Sequence, residues 1–340
     1  MPKSAIGYVE TARADTDRIS GVSVVVPIYN EIDNIVPLHT ELTAALSDIG
    51  KPYEIILVDD GSTDGSSAAL ADLTDRDSHV RVVEFRRNFG QTAAMKAGVD
   101  HARMDAVVTI DGDLQNDPSD IAAMIVKLEE GYDLVHGWRR DRQDALITRK
   151  LPSRIANRLI SWSTGFPIHD LGCTLKAIRR DVMVEIELYG EMHRFIPILL
   201  HQRGARCIEM VTNHRPRVAG VSKYGIGRTI TVLLDLLTVN FLLFNSAHPM
   251  RTFGLLGMLS MALSVVSLIL LVLMKVIGGV DMTGNPFLIL SVMAGLAGIQ
   301  LLSLGLVGEV LARVYFGQDL RETYAVRRVI ERASGVSHGG

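Results

Sequence analysis

Residues 106–115 have the sequence AVVTIDGDLQ, an apolar run that ends in two aspartates. The run predicts a buried strand, and Asp111 and Asp113 lie at its end. Side chains at positions i and i+2 of an extended chain point the same way, so both carboxylates can reach one divalent cation. Gly112 lets the backbone turn closely between them. The pair therefore predicts a Mg²⁺ or Mn²⁺ site, and an Asx turn that only ends a strand is the alternative.

Three more apolar runs precede this one and alternate with helical patterns. Strands are predicted at 22–27, 53–58 and 80–85, and helices at 33–49, 67–73 and 92–101. This alternation predicts an α/β fold, with a doubly wound, mostly parallel sheet and right-handed crossovers. Ligands bind such sheets beyond the carboxyl ends of the strands.

The first, second and fourth of these strands each end in polar residues. Those residues lie at 27–31, at Asp59 and Asp60, and at 111–113. Since the carboxyl ends of parallel strands share one edge of the sheet, we expect a single ligand-binding crevice there. An ordinary turn explains any one of the three clusters, but explains their convergence less easily.

The chain lacks two common glycine-rich phosphate motifs, G-x-G-x-x-G after the first strand and G-x-x-x-x-G-K-[ST] anywhere. A metal ion and basic side chains are therefore expected to hold any phosphate. Basic residues are concentrated before the fourth strand and after Trp138. They are Arg86, Arg87, Arg139, Arg140, Arg142, Arg149, Lys150, Arg154 and Arg158. A solvated helix face is the alternative interpretation of the second group.

The overall composition carries little net charge, so any basic patch must be local. The chain has 340 residues, a formal net charge of −3 and ten histidines, which gives no indication of nucleic-acid binding. Its two cysteines, Cys173 and Cys207, lie far apart and predict neither a zinc site nor a disulfide framework. Residues 1–20 are polar, lack the apolar core of a signal peptide and are expected to form a flexible tail.

The C-terminal third contains two long uncharged stretches, 252–274 and 287–308. Each is long enough as a helix to span the hydrocarbon core, so transmembrane helices are predicted at 250–278 and 285–312. An amphipathic helix at 226–248 is expected to lie in the membrane interface. Arginines flank the spans on the side of both termini. This predicts a protein of the cytoplasmic membrane whose catalytic domain, 21–225, and C-terminal tail, 313–340, are both cytoplasmic.

Five ordered motifs resemble those of the inverting GT-A glycosyltransferases of family 2. They are VPIYNE at 26–31, VDDGSTD at 58–64, NFGQ at 88–91, DGDLQ at 111–115 and DLGC at 170–173. More narrowly, RFIP at 194–197, SKY at 222–224 and the two apolar stretches are similar to the polyisoprenyl-phosphate glycosyltransferases. Those enzymes join one sugar from a nucleotide sugar to undecaprenyl or dolichyl phosphate. The resemblance covers about residues 21–330 and implies a GT-A, Rossmann-like fold.

The resemblance also implies roles for individual residues. The nucleotide would be contacted by Pro27, Tyr29, Glu31, Asp59, Asp60 and Asp111. Asp111 and Asp113 would hold the metal, and the catalytic positions would be Asp113 and Asp170, with Asp170 in the place of the general base. Candidates for binding the lipid phosphate or the diphosphate are Arg139, Arg215, Arg217, Lys223 and Arg228. Because a phosphate monoester is largely dianionic at neutral pH, Asp170 is either a base or a group that orients the substrates.

The resemblance implies transfer of a single hexose, with inversion, to polyprenyl (undecaprenyl) phosphate at the cytoplasmic face of the lipid bilayer. UDP-glucose is the expected donor, and UDP-N-acetylhexosamine, UDP-aminoarabinose and GDP-mannose are alternatives. The motif Q-x-x-R-W is absent, which argues against a polymer-making synthase. Relatives suggest a homodimer or a homotetramer. The non-enzymatic alternative is a membrane scaffold or flippase partner, against which the intact Asp111 and Asp113 argue.

Overall fold

The computed structural model describes residues 18–140, 168–186, 188, 192–216, 249–316 and 324–332. These residues form two compact units. One unit is built around a sheet and includes residues 324–332 from the C-terminal end, and the other contains the two long apolar helices.

A single sheet of eight strands organises the first unit, counted over the described residues. The strands are β1 (Val22–Ile28), β2 (Tyr53–Asp59), β3 (Val80–Phe85), β4 (Ala106–Thr109), β5 (Leu134–Trp138), β6 (Lys176–Arg179), β7 (Cys207–Val211) and β8 (Val326–Glu331). Their order is β7-β5-β6-β4-β1-β2-β3-β8. Strand β1 pairs in parallel with β2 and β4, as β2 does with β3 and β5 with β7, whereas β6 and β8 pair antiparallel with their neighbours. The predicted doubly wound, mostly parallel sheet is confirmed.

Helices cover both faces of this sheet. They are α1 (Ile32–Ile49), α2 (Ser66–Arg76), α3 (Gln91–His101), α4 (Asp120–Glu129), α5 (Arg180–Val184) and α6 (Ile196–Gln202), with a 3₁₀ turn at Met192–Arg194. Side chains alternate along β1, so Val24 and Val26 pack with α1, α2 and α4, while Val25 packs with α3. Burial on both faces explains why the central strands read as continuous apolar runs.

The C-terminal end of the chain contributes the edge strand β8. The sequence predicts a tail at 313–340, but Val326–Glu331 pairs antiparallel with β3. Arg327 and Arg328 both pair with the buried Glu84 of β3. The strand is half charged and its partners lie about 240 positions away in sequence, so no local apolar pattern predicts it. Strand β8 follows β7 along the chain and is the last strand among the described residues.

The second unit is a pair of helices, α7 (Pro249–Gly278) and α8 (Pro286–Phe316). Met250–Gly278 and Pro286–Leu311 are long and apolar enough to cross a membrane, and most of their side chains face outward. Between the helices, the Ser264 hydroxyl donates to the Ser291 carbonyl at 2.7 Å, and the Ser291 hydroxyl donates to the Ser264 carbonyl at 3.0 Å. The interfacial helix predicted at 226–248 and the greater part of the predicted N-terminal tail lie outside the described residues.

Candidate active site

The site is a cavity of about 200 Å³ at the carboxyl ends of β1, β2 and β4. Its lining residues are Pro27, Ile28, Tyr29, Glu31, Asp60, Asn88, Gly90, Gln91, Asp111, Gly112 and Asp113. Six residues singled out from the sequence are thus brought together here: Pro27, Tyr29, Glu31, Asp60, Asp111 and Asp113. The loop at 88–91 adds a fourth side to the three clusters of the predicted crevice.

The loops after β1 and β2 are joined by hydrogen bonds through Asn30. Its backbone N–H donates to the Ser62 hydroxyl at 3.0 Å, and its side-chain carbonyl accepts from the Thr63 N–H at 2.8 Å. Asn30 has φ of 53°, a left-handed conformation that asparagine tolerates better than most residues. These bonds fix the two loops against each other, so the rim of the cavity is largely preformed.

Asp59 does not line this cavity, and its predicted contact with the nucleotide stays a prediction. Its side chain is fully buried. One oxygen accepts from the Ser62 N–H at 2.9 Å, and the other accepts from the Ser67 hydroxyl. Asp59 therefore stabilises the turn after β2, because strand alternation turns it away from the edge that its neighbour Asp60 occupies.

Asp60 lies on the cavity and also holds the loop that follows β3. Its two carboxylate oxygens accept from the N–H groups of Phe89, at 2.6 Å, and Gly90, at 2.9 Å. Burial raises the pKa of Asp60, and these two hydrogen bonds oppose that rise. Gly90 has φ of 95°, a conformation that strongly favours glycine.

Asp111 and Asp113 lie together on the cavity with Gly112 between them. The Gln91 amide donates to Asp111 at 2.6 Å. Burial, followed by the nearby charge of Asp113, raises the pKa of Asp111 to about 6. A Cβ on Gly112 would lie 2.7 Å from Ile28 Cδ1 and 3.3 Å from the Pro27 carbonyl oxygen, so a larger residue would require Ile28 or the backbone to shift.

The donor set at this position fits a hard divalent cation. It consists of two carboxylates with no thiol or imidazole on the cavity. Within the described residues, no group of three or more His, Cys, Asp or Glu side chains could hold a metal. A cation here would need further oxygen ligands from phosphate or water, which is the usual habit of Mg²⁺ at nucleotides.

Asp170 is paired with Arg139 rather than free. Arg139 Nε donates to one carboxylate oxygen at 2.7 Å and Nη2 donates to the other at 2.9 Å. The side chains of both residues are about nine-tenths buried. Burial disfavours the charge of Arg139, but the hydrogen bonds and charge of Asp170 raise its pKa. Two of the three guanidinium nitrogens of Arg139 thus hold Asp170, and its role as a phosphate ligand stays a prediction.

A layer of buried polar residues beneath the carboxylates was missed by the sequence analysis. Lys176 on β6 lies directly opposite Thr109 of β4 and His136 of β5. Both Lys176 and His136 are fully buried. Among the described residues, Lys176 Nζ has one hydrogen bond, to the Cys173 carbonyl at 2.5 Å, and burial lowers its pKa to about 8. A lysine inside an apolar strand was the available signal, since lysine is almost never fully buried without a partner.

His136 connects this layer to Asp170. Its Nε2–H donates to the Asp170 carbonyl at 2.6 Å, while Nδ1 has no hydrogen-bond partner among the described residues. Burial, and then the charge of Lys176, lowers the pKa of His136 to about 3. The imidazole is therefore neutral at physiological pH and fixes the backbone beside the Asp170 carboxylate.

Arg215 is also held by carboxylates instead of facing a ligand. It contacts Glu41 at 2.7 Å and Asp117 at 2.8 Å, and its backbone N–H donates to the Gln115 carbonyl at 2.8 Å. In this structure Arg215 braces the segment that follows Asp113, and its role in binding lipid phosphate stays a prediction. The other predicted phosphate ligands, Arg217, Lys223 and Arg228, lie outside the described residues.

The chain is similar in sequence to known glycosyltransferases. Residues 23–186 match the family model described as glycosyl transferase family 2. Dodecaprenyl-phosphate galacturonate synthase of Rhizobium johnstonii is 42% identical over 332 residues, which cover 96% of this chain and 98% of that protein. Undecaprenyl-phosphate 4-deoxy-4-formamido-L-arabinose transferase of Enterobacter sp. is 37% identical over 320 residues, covering 94% of this chain and 96% of that protein.

Solved structures share the fold at low sequence identity. Glucosyl-3-phosphoglycerate synthase of Mycobacterium tuberculosis, in complex with Mn²⁺, UDP and its product, has a TM-score of 0.50 at 20% identity, covering 64% of this chain and 80% of that chain. Mannosyl-3-phosphoglycerate synthase of Rubrobacter xylanophilus has a TM-score of 0.51 at 17% identity, covering 65% and 74%.

Proposed function

The chain belongs to glycosyl transferase family 2, among the polyprenyl-phosphate sugar transferases, and from this premise we propose its reaction. A single sugar passes from a nucleotide sugar to polyprenyl phosphate, with inversion at the anomeric carbon. The observation that carries the proposal is the cavity that combines Asp111 and Asp113 with Tyr29 and Asp60. The whole length of the chain, including both apolar helices, aligns with transferases that use this kind of acceptor.

The nucleotide lies, in this proposal, along the rim made by the loops after β1 and β2. Pro27, Tyr29 and Glu31 line one side of the cavity and Asp60 the other. Asn30 fixes the two loops together through Ser62 and Thr63, so little ordering cost remains for binding.

Mg²⁺ or Mn²⁺ would be held by Asp111 and Asp113. When bound, the ion supplies positive charge that stabilises the leaving nucleoside diphosphate. Gln91 holds the Asp111 carboxylate in a fixed orientation from the loop after β3. Gly112 lets the backbone approach Ile28, which brings both carboxylates onto the cavity.

Asp170 acts in this proposal as an orienting group. Both of its oxygens accept from Arg139, and such a bidentate pair fixes the carboxylate in one position. The acceptor phosphate has a second pKa near 6 and is mostly a dianion at neutral pH, so the reaction needs little help from a base. The pair Arg139–Asp170 then sets the position of the substrates rather than moving a proton.

The acceptor is a membrane lipid, and α7 and α8 provide the anchor for a protein that uses it. We propose that the sheet unit is on the cytoplasmic side, because arginines such as Arg251, Arg327 and Arg328 flank the helices on the side of the termini. A homodimer or homotetramer remains part of this proposal. Its partners are the nucleotide sugar, the polyprenyl phosphate and the bilayer.

The identity of the donor sugar is the most detailed part of the proposal. UDP-glucose is the donor expected from the sequence, but the names of the two relatives specify galacturonate and a 4-formamido-arabinose. We therefore place a galacturonate donor first, because the galacturonate synthase is 42% identical over nearly the whole chain, and UDP-glucose second. Donors of aminoarabinose, N-acetylhexosamine and mannose complete the set.

The test is a donor panel with the purified full-length protein in detergent. The protein is incubated with undecaprenyl phosphate, Mg²⁺ or Mn²⁺, and each of UDP-galacturonate, UDP-glucose, UDP-N-acetylglucosamine, UDP-aminoarabinose and GDP-mannose. Mass spectrometry of the lipid fraction identifies the product. We expect one donor to give a monoglycosylated lipid phosphate; no product with any of the five would overturn the proposal and favour the scaffold.

A further inference from the structure

The loop at 86–91, between β3 and α3, lies at the centre of the proposed donor site. Asn88, Gly90 and Gln91 line the cavity. The loop gives two backbone N–H groups to Asp60 and the Gln91 amide to Asp111. Its conformation therefore decides where both carboxylates lie.

This loop is held from behind by an aromatic cluster, defined as Phe85, Phe89 and Tyr324. Phe89 packs edge-to-face on Phe85, with ring centroids 5.6 Å apart. The ring of Tyr324 also packs on Phe85. These two rings are stacked, with centroids 5.2 Å apart and an interplanar angle of 15°. Phe85 and Tyr324 are both buried.

Tyr324 belongs to the C-terminal segment, just before β8. Its hydroxyl donates to Asp100 of α3 at 2.8 Å. The next residue, Ala325, accepts a hydrogen bond from the Arg86 N–H at 3.2 Å, at the start of the loop. The C-terminal segment thus contacts the start of the loop through its backbone, and Tyr324 supports the loop residue Phe89 through Phe85, on which both rings pack.

Strand β8 is itself joined to β3 by ion pairs in which Glu84 and Arg81 are buried while their β8 partners are largely exposed. Glu84 accepts from Arg327 at 3.1 Å and from Arg328 at 2.6 Å. At the other end, Glu331 pairs with Arg81 at 2.8 Å and with Arg103 at 3.1 Å. These contacts give the aromatic cluster a rigid support.

We propose that the start of the C-terminal segment, Tyr324 and Ala325, is a positioning element of the donor site, with Tyr324 as its key residue. It holds the loop at 86–91 in the conformation that presents Asp60 and Asp111 to the nucleotide diphosphate. Donor binding then does not need to order this loop, and affinity is gained by preorganisation. The inference deepens the proposed function and rests on it for the identity of the ligand.

Two measurements on the full-length protein in detergent test this inference with Tyr324→Ala. Hydrogen exchange of the Phe89 and Gly90 amides should become faster, while the amides that join the β1 and β2 loops, such as Thr63, keep their protection. The affinity for UDP with Mn²⁺, measured by calorimetry, should fall about three- to tenfold, the range that the loss of one aromatic pair gives. The KM for the donor should rise by the same factor with little change in kcat.

The matched control is Val329→Ala in the same strand, because Val329 is 42% exposed and lies outside the aromatic cluster. We expect it to lower thermal stability without changing exchange at Phe89 or UDP affinity. Tyr324→Phe keeps the ring and should keep UDP affinity within twofold. If Tyr324→Ala does not fold, Phe89→Leu removes the loop side of the same cluster and should give the same exchange and affinity changes.

Unchanged exchange at Phe89 and Gly90, or equal effects of Tyr324→Ala and Val329→Ala on UDP affinity, would overturn the inference and leave the segment a merely structural role. Failure of the proposed function has a different signature. In that case the wild-type protein gives no glycolipid in the donor panel, while the exchange measurement still reports on the loop.

Discussion

At the scale of single residues, the buried pair Arg139–Asp170 is expected to affect the stability of the folded protein strongly. Removing one partner of a buried ion pair leaves the other charge uncompensated, which typically costs about 3–5 kcal/mol. The pair is bidentate and about nine-tenths buried. We therefore expect Asp170 to contribute to stability through this pair and, in the proposed reaction, to turnover, so variants must separate the two effects.

Asp170→Asn should lose most turnover, about 100-fold, and keep nucleotide binding, because Asp170 lies outside the nucleotide cavity. The check is kcat for sugar transfer beside calorimetric UDP affinity, at a temperature where the variant is folded. Glu41→Gln is the control, since it breaks only the half-exposed pair with Arg215 and should cost at most about 1 kcal/mol. Wild-type turnover in Asp170→Asn would remove Asp170 from the mechanism.

Gly112→Ala should weaken binding of Mn²⁺ about tenfold, because its Cβ would lie 2.7 Å from Ile28 Cδ1 and overpacking shifts the backbone between the two carboxylates. Titration with Mn²⁺, followed by electron paramagnetic resonance, measures the affinity. The double variant Ile28→Val with Gly112→Ala removes the clashing methyl and should recover most of the loss. Equal affinity in Gly112→Ala and wild type would show that the close approach does not position the carboxylates.

His136 is expected to make the stability of the folded protein fall as the pH falls. Its pKa is lowered to about 3 in the folded protein, whereas an unfolded histidine titrates near 6.5. Below about pH 6.5 the unfolded chain binds a proton at this residue and the folded chain does not. The free energy of unfolding therefore falls by about 1.4 kcal/mol for each unit by which the pH is lowered.

The variant His136→Gln should therefore lose less stability than wild type between pH 6.5 and pH 5. The expected difference in the change of unfolding free energy is about 2 kcal/mol. Denaturant unfolding at the two pH values measures it. Parallel pH profiles for the two proteins would mean that His136 is protonated in the folded state.

At the scale of secondary-structure elements, the packing of α7 on α8 depends on small residues. A Cβ on Gly298 would lie 2.6 Å from Met261 Cγ and 3.0 Å from the Gly257 carbonyl oxygen. The two helices therefore approach each other closely at this level, as small residues allow in membranes.

Gly298→Ile should separate the helices and lower the thermal stability of the detergent-solubilised protein, at a cost of about 1–3 kcal/mol. Gly254→Ile is the matched control, because the nearest neighbour of its Cβ is the flexible Met250 side chain at 3.4 Å. Thermal unfolding of both variants gives the comparison. A larger loss for Gly254→Ile than for Gly298→Ile would contradict this packing.

The elements also show what a sequence can and cannot predict. Strands β1 to β4 are buried on both faces and carry continuous apolar runs, so their positions follow from local pattern. Strand β8 has no such run, because Arg327, Arg328 and Glu331 are stabilised by partners on or near β3. Its place depends on tertiary contacts that no local window contains.

The same division holds within the site. Asp111 and Asp113 follow an apolar run, so their convergence with Asp60 was predictable from strand ends. The sequence does not predict that Arg139 pairs with Asp170 or that Lys176 is buried. Both depend on which strands become neighbours across the sheet. The sequence thus predicts which edge of the sheet carries the candidate site residues. It does not predict which basic side chains are paired with carboxylates there.

At the scale of the whole molecule, the chain combines a cavity lined by carboxylates at the ends of the strands with two helices that are long and apolar enough to cross a membrane. That combination suits a reaction in which one substrate is soluble and the other is a lipid. It also explains why structural neighbours that share only the sheet fold cover about two thirds of the chain, whereas the polyprenyl-phosphate transferases cover nearly all of it.

The most direct test of the central claim is sugar transfer to undecaprenyl phosphate by the full-length protein and by Asp113→Asn. Both are assayed with Mn²⁺ and the donor identified in the panel, and the lipid product is quantified. We expect the wild-type protein to form the glycosyl lipid and Asp113→Asn to lose at least about 100-fold in rate, since Asp113 would hold the ion that stabilises the leaving diphosphate. Equal product from a folded Asp113→Asn variant would contradict the claim that this cavity performs the reaction.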